Sequence, residues 1–164
     1  RRPSARVPHP REQDQVLKEG GVKKLLVLLG SGKTNEYAAR AIARMSHQNH
    51  SVQTEVYKQG GVALLLALLS DINVHAQTQA AAAIAELAQG AGGKNRKKAQ
   101  DAIAKAGGIG PLLQLVECRQ PQCCAEAVHA IAQVAKNNRP NQDAIAQMGG
   151  VRPLVDLLQK QEVK

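Results

Sequence analysis

Apolar residues recur along this chain in short blocks at helical spacing. In one block Leu65, Leu66, Leu68 and Leu69 fall at i, i+1, i+3 and i+4, and Leu112, Leu113, Leu115 and Val116 repeat the pattern. Such spacing makes a wide apolar face with a helical period, whereas a strand would alternate strictly, so each block predicts a helix. A second kind of block is rich in alanine and covers 38–45, 80–87 and 127–134. Ile42, Ile84 and Ile131 take equivalent slots in it, with Met45, Leu87 and Val134 one turn on. These blocks predict longer helices whose small side chains let neighbours approach closely. Shorter, more polar helices are predicted at about 11–19, 51–59, 96–106 and 141–148.

Glycine pairs punctuate the pattern. They start at 20, 60, 107 and 149, each between a short polar helix and a Leu-rich one, at steps of 40, 47 and 42 residues. A repeat at this period implies a stacked array. The first glycine can take the left-handed conformation that ends a helix, and the second lets the chain turn sharply. Pro111 and Pro153 fall in the first turn of the helix that follows, where a missing N–H costs nothing. Polar loops follow at 30–33, 70–73 and 119–121. The longer step reflects about five extra residues between Gly90 and Lys98, and their composition reads as a loop. The division is then an extended basic, Pro-rich lead-in at 1–10, repeats at 11–50, 51–94 and 95–138, and a partial fourth at 139–164 with two helices.

This order of short helix, Gly-Gly-Ile/Val, Leu-rich helix, loop and Ala-rich helix resembles the armadillo-repeat family over residues 11–164. HEAT repeats share the period but lack the short first helix and the Gly-Gly corner. The resemblance implies an all-α fold, a right-handed α-solenoid of three-helix repeats. It also implies a concave groove lined by third helices, where many members hold an extended peptide with an Asn and a Trp one turn earlier. By position the Asn slots here hold Arg44, Glu86 and Gln133, and the Trp slots hold Arg40, Ala82 and His129. The carboxamide ladder is therefore missing. A polar groove of mixed charge is expected instead, suited to a folded or helical partner with acids near the first repeat.

Charge changes the picture locally. The net charge is +9, and much of it sits in Arg1, Arg2, Arg6 and Arg11 and in a second cluster, Lys94, Arg96, Lys97 and Lys98. That basic loop would suit a polyanion. Single-stranded nucleic acid normally needs stacking aromatics, and Tyr37 and Tyr57 are the only two, which argues against nucleic acid. Arg40 and Arg44 lie one turn apart and can reach one carboxylate-bearing partner; the structural alternative is pairing with Glu36.

Candidate chemistry is sparse. Cys118, Cys123, Cys124 and His129 lack the paired spacing of structural zinc, and Cys123 reads as a buried core thiol. His47 and His50 read as polar residues at a helix end. No metal, cofactor or catalytic constellation is expected, and the chain reads as a non-enzyme. Three cysteines without a disulfide framework point to a reducing, intracellular setting, taken as the cytoplasm. No apolar run reaches the length of a membrane span. Without an initiator Met the chain is read as a fragment or a processed form.

The reading is a non-catalytic protein-binding scaffold. Two alternatives stay open: a polyanion binder acting through the tail and basic loop, and a regulatory segment of a larger enzyme. Leu154, Leu157 and Leu158 are expected to leave an apolar C-terminal face that meets a second copy or further repeats.

Overall fold

The computed structural model describes residues 10–90 and 93–162. Among them run eleven α-helices and no strand. The first three are α1 (Pro10–Lys18), α2 (Gly21–Leu29) and α3 (Asn35–Ser46). The next three are α4 (His50–Lys58), α5 (Gly61–Leu68) and α6 (Val74–Gln89). Then come α7 (Gly93–Lys105), α8 (Ile109–Val116) and α9 (Pro121–Ala135), followed by α10 (Arg139–Gln147) and α11 (Val151–Glu162). Within each triplet the Leu-rich helix packs on the Ala-rich one as a hairpin, and α3, α6 and α9 lie side by side in the most extensive contacts of the fold. The result is a right-handed α-solenoid of three-helix repeats.

Alanine makes the stacking of third helices close. In α6 the residues Ala76, Ala80, Ala81, Ala83, Ile84, Ala85, Leu87 and Ala88 are all fully buried, because α3 covers one flank and α9 the other. Along the remaining stripe His75 is exposed, and Gln79, Ala82, Glu86 and Gln89, spaced three and four residues apart, keep partial access to solvent.

The glycine corners divide two tasks. The first glycine of each pair is left-handed, with φ of 70°, 74°, 82° and 75° at Gly20, Gly60, Gly107 and Gly149. At the third corner the Gly107 N–H donates to Ala104 O at 2.9 Å and the Gly108 N–H to Ile103 O at 3.0 Å, which closes the end of α7 with a Schellman motif. The second glycine supplies space. A Cβ on Gly61 would stand 2.8 Å from Leu26 Cδ2, one on Gly108 2.9 Å from Leu66 Cδ2, and one on Gly150 2.6 Å from Leu113 Cδ2. Leu26, Leu66 and Leu113 each follow their own glycine pair at the same offset, so one leucine per repeat seats on the next repeat's corner. Val155 holds that register position in α11 and is 44% exposed.

A polar clamp joins first helices of adjacent repeats. Gln48 and Asn137, at φ of 53° and 56°, turn the chain out of α3 and α9. The next residue, Asn49 or Asn138, caps the following first helix, with Oδ1 accepting from Val52 N at 3.0 Å or Asn141 N at 3.4 Å. Its amide also reaches back one repeat. Asn49 Nδ2 donates to Gln13 Oε1 at 2.8 Å, and Asn138 Nδ2 donates to Gln100 Oε1 at 3.2 Å and Asp101 Oδ1 at 2.8 Å. Gln100 Nε2 in turn donates to Gln133 O and Lys136 O at the end of α9. These bonds satisfy carbonyls that a helix C-terminus leaves open.

Two expectations change. Residues 93–98 are helical rather than a loop, because α7 starts at Gly93 and its Lys, Arg and Gln side chains are good helix formers that packing on α6 and α9 holds in place. Leu154 and Leu157 are half-buried against the core rather than exposed, since α11 packs on α8; among the described side chains the exposed apolar ones at this edge are Met148, Val151 and Val155. The side chain of Leu158 and the lead-in at 1–9 lie outside the described residues.

The corner geometry predicts opposite outcomes at two neighbouring glycines. Gly108→Ala puts a methyl group 3.0 Å from the Ile103 carbonyl and should cost about 1–3 kcal/mol, through overpacking against backbone. Gly110→Ala, with nothing within 4 Å of its new Cβ, should instead stabilise by about 0.5–1 kcal/mol, through helix propensity. Thermal or urea melts of the two variants check this, and equal effects would refute the assigned role of the second glycine. Asn138→Ala should cost roughly 1–3 kcal/mol, because it removes a cap and leaves the buried Gln100 Oε1 without its donor.

Candidate partner-binding groove

The third helices leave a groove of about 490 Å³ along their exposed stripe. Arg40 and Arg44 enter it from α3, Ala82 and Glu86 from α6, and His129 from α9. Five of the six residues picked from the sequence therefore share one wall. The sixth, Gln133, lies one turn beyond on α9, with its Nε2 3.1 Å from His129 Nε2.

The charge is distributed unevenly. Arg40 and Arg44 are half-buried, and neither forms an ion pair among the described residues; the Glu36 pairing is not made. The Arg40 guanidinium instead lies 5.1 Å from the ring centroid of Tyr37, which steadies a long side chain through a cation–π contact. Glu86 is engaged within the wall, its Oε2 3.1 Å from His47 Nδ1 at the end of α3. Glu126 lies toward the α9 side. The groove is thus cationic over the first repeat and acidic over the third.

Five lining residues escaped the sequence reading: Ala43, His47, Gln79, Gln122 and Glu126. Each follows from the chosen slots by helical spacing. Three and seven residues after Arg40 come Ala43 and His47, three before Ala82 comes Gln79, and three and seven before His129 come Glu126 and Gln122. Extending the stripe by one turn would have found them.

The basic cluster does not form a free loop. Arg96 Nε donates to Gln89 O at 2.9 Å, tying α7 to the end of α6, while Lys97 and Lys98 are exposed on α7. The side chain of Lys94 and the arginine tail at 1–9 lie outside the described residues. Among the described residues no helix is long and apolar enough to cross a membrane, and no three His, Cys, Asp or Glu side chains are placed to hold a metal ion.

No family model and no curated protein matches the sequence. Solved structures do. A designed armadillo repeat protein in complex with the peptide (KR)4 superposes with a TM-score of 0.85 at 26% identity, over 93% of this chain and 63% of its own. The chain has the armadillo-repeat fold. An engineered protein from the Northeast Structural Genomics Consortium gives a TM-score of 0.86 at 30% identity, over 93% of this chain and 60% of its own. The armadillo-repeats-only protein of Plasmodium falciparum gives 0.74 at 15% identity, over 89% of this chain and 66% of its own, and shares the fold alone. This chain spans under two thirds of the length of the engineered and designed proteins it matches.

Cys123, at the start of the third helix α9, is fully buried, and burial pushes its thiol up to about 11. The reactive species is the thiolate, so a raised value means an inert thiol at neutral and mildly alkaline pH. Iodoacetamide should leave Cys123 unmodified in the folded protein and label it in denaturant, as read by peptide mass spectrometry. Rapid labelling in the native state would contradict the packing around α9.

Proposed function

We propose that this chain is a non-catalytic scaffold that binds a polypeptide segment along the groove of α3, α6 and α9, with acidic side chains of the segment set over Arg40 and Arg44. The observation that carries the reading is the pair of guanidiniums one turn apart on the groove wall, neither with an ion pair among the described residues. An exposed carboxylate reaching both would gain charge-assisted hydrogen bonds, each of about 1.5–3 kcal/mol. Support also comes from the designed armadillo protein in complex with (KR)4, a scaffold of the same fold that binds a peptide of opposite charge. Arg44 and Glu86 stand where the family resemblance puts two carboxamides of the peptide-gripping ladder, which supports recognition through side-chain charge at those positions. Glu126 favours a basic residue at the far end of the segment.

Fluorescence anisotropy with labelled (Glu-Asp)4 and (KR)4 tests this. The acidic peptide should bind in a salt-dependent manner, and Arg40→Glu/Arg44→Glu should weaken it by about tenfold or more while the circular dichroism spectrum stays native. Because the chain is basic overall, the control is Lys23→Glu/Lys24→Glu, which changes net charge equally on the exposed side of α2. Equal loss in the two double variants would mean that only net charge matters and would overturn the groove assignment.

A further inference from the structure

A separate cavity of about 400 Å³ lies between α4 and α7, on the first helices rather than the groove. It arises where the polar clamp fails. Asn49 and Asn138 each precede a first-helix glutamine, Gln53 or Gln142, by four residues. The residue four before Gln100 is Arg96, and its guanidinium turns to Gln89 O instead. At the outer junctions Gln13 Oε1 and Gln100 Oε1 each accept from an asparagine amide of the next repeat. At this central junction no asparagine answers Gln53, whose Oε1 is buried without a hydrogen-bond partner. Its orientation is fixed, because Gln53 Nε2 donates to Ser46 O at 2.8 Å and Glu86 O at 3.2 Å, both of which require the nitrogen. A buried acceptor in this state calls for a donor.

The rest of the lining defines what that donor must be attached to. Tyr57, Ala99 and Ala102 give the cavity an apolar wall, and the Tyr57 hydroxyl is spent on Leu87 O at 3.2 Å. Burial raises its phenol well above the usual range, so that wall stays uncharged. Lys58 and Lys98 line the cavity from α4 and α7, are exposed, and form no ion pair among the described residues. No carboxylate belongs to the lining. The volume is in the range of small-molecule sites.

We propose that this cavity binds a small organic anion whose apolar body carries an N–H or O–H donor. The donor meets Gln53 Oε1, as Asn49 and Asn138 do for their glutamines at the other junctions. The body lies against Tyr57 and Ala102, and the anionic end faces Lys58 and Lys98.

Anilinonaphthalene sulfonate has this chemistry, with one sulfonate, one N–H and an apolar ring system, and it reports by fluorescence. Titrated into the full chain, it should bind saturably at one equivalent. Lys58→Glu/Lys98→Glu and the cavity-filling Ala102→Phe should each weaken it by about tenfold, whereas Lys97→Glu, exposed on the same helix but outside the lining, should not. Ala102→Leu replaces the Phe variant if the latter does not fold by circular dichroism. The side-chain amide signals of Gln53 should shift in NMR spectra on binding. Absence of saturable binding, binding untouched by the lining variants, or equal loss in Lys97→Glu would each overturn the proposal.

Discussion

A repeat in this chain cannot bury its own apolar surface, and the device that joins one repeat to the next is a leucine seated on a glycine. Leu26, Leu66 and Leu113 approach the second glycine of the following corner so closely that a single methyl group there would stand under 3.0 Å from them. The first glycine makes the approach possible, because its left-handed conformation ends the short helix and starts the Leu-rich one at a fixed angle. The angle sets how Leu-rich helices lie on the Ala-rich ones, and hence how α3, α6 and α9 align. Apolar burial supplies the driving force, but it is non-directional; the corner is what makes it produce one geometry.

The groove follows from that alignment by subtraction. Once α3 and α9 cover its flanks and α5 its back, α6 has one stripe left, and its solvent-facing positions carry Gln79, Ala82 and Glu86. The same stripe on α3 carries Arg40, Arg44 and His47, and on α9 Gln122, Glu126 and His129. These residues contribute little to the core and are free to differ from repeat to repeat. That freedom explains why the scaffold repeats closely while the chemistry along the groove runs from cationic to acidic.

Much of the fold could be read from the sequence, because glycine pairs and leucine spacing report backbone geometry directly. The equivalence of Ile42, Ile84 and Ile131 gave the core of the third helices, all three now buried. The slots at Arg40, Arg44, Ala82, Glu86 and His129 were also legible, since a helical period converts one known position into its neighbours. What was not legible depended on pairs from different repeats. The clamp between Asn138 and Gln100, thirty-eight residues apart, has no local signature. The helical start of α7 was hidden by composition. The glycines between Gly90 and Lys98 read as a loop, yet the helix-forming Lys, Arg and Gln that follow Gly93, and the contacts of α7 with α6 and α9, outweigh them.

The extra residues before α7 carry a cost that the other junctions avoid. Where the step is 40 or 42 residues, an asparagine enters each first helix and ties it to the glutamine of the preceding repeat. Where the step is 47, arginine takes that position and secures only the end of α6, and the glutamine keeps a buried acceptor with nothing to accept from. An unmet buried acceptor destabilises by about 1–3 kcal/mol. The loss is concentrated at a junction that also opens a cavity with two lysines on its lining and no acid. The unmet acceptor, the cavity and the two lysines thus coincide at one junction, which is why the proposed ligand is placed there.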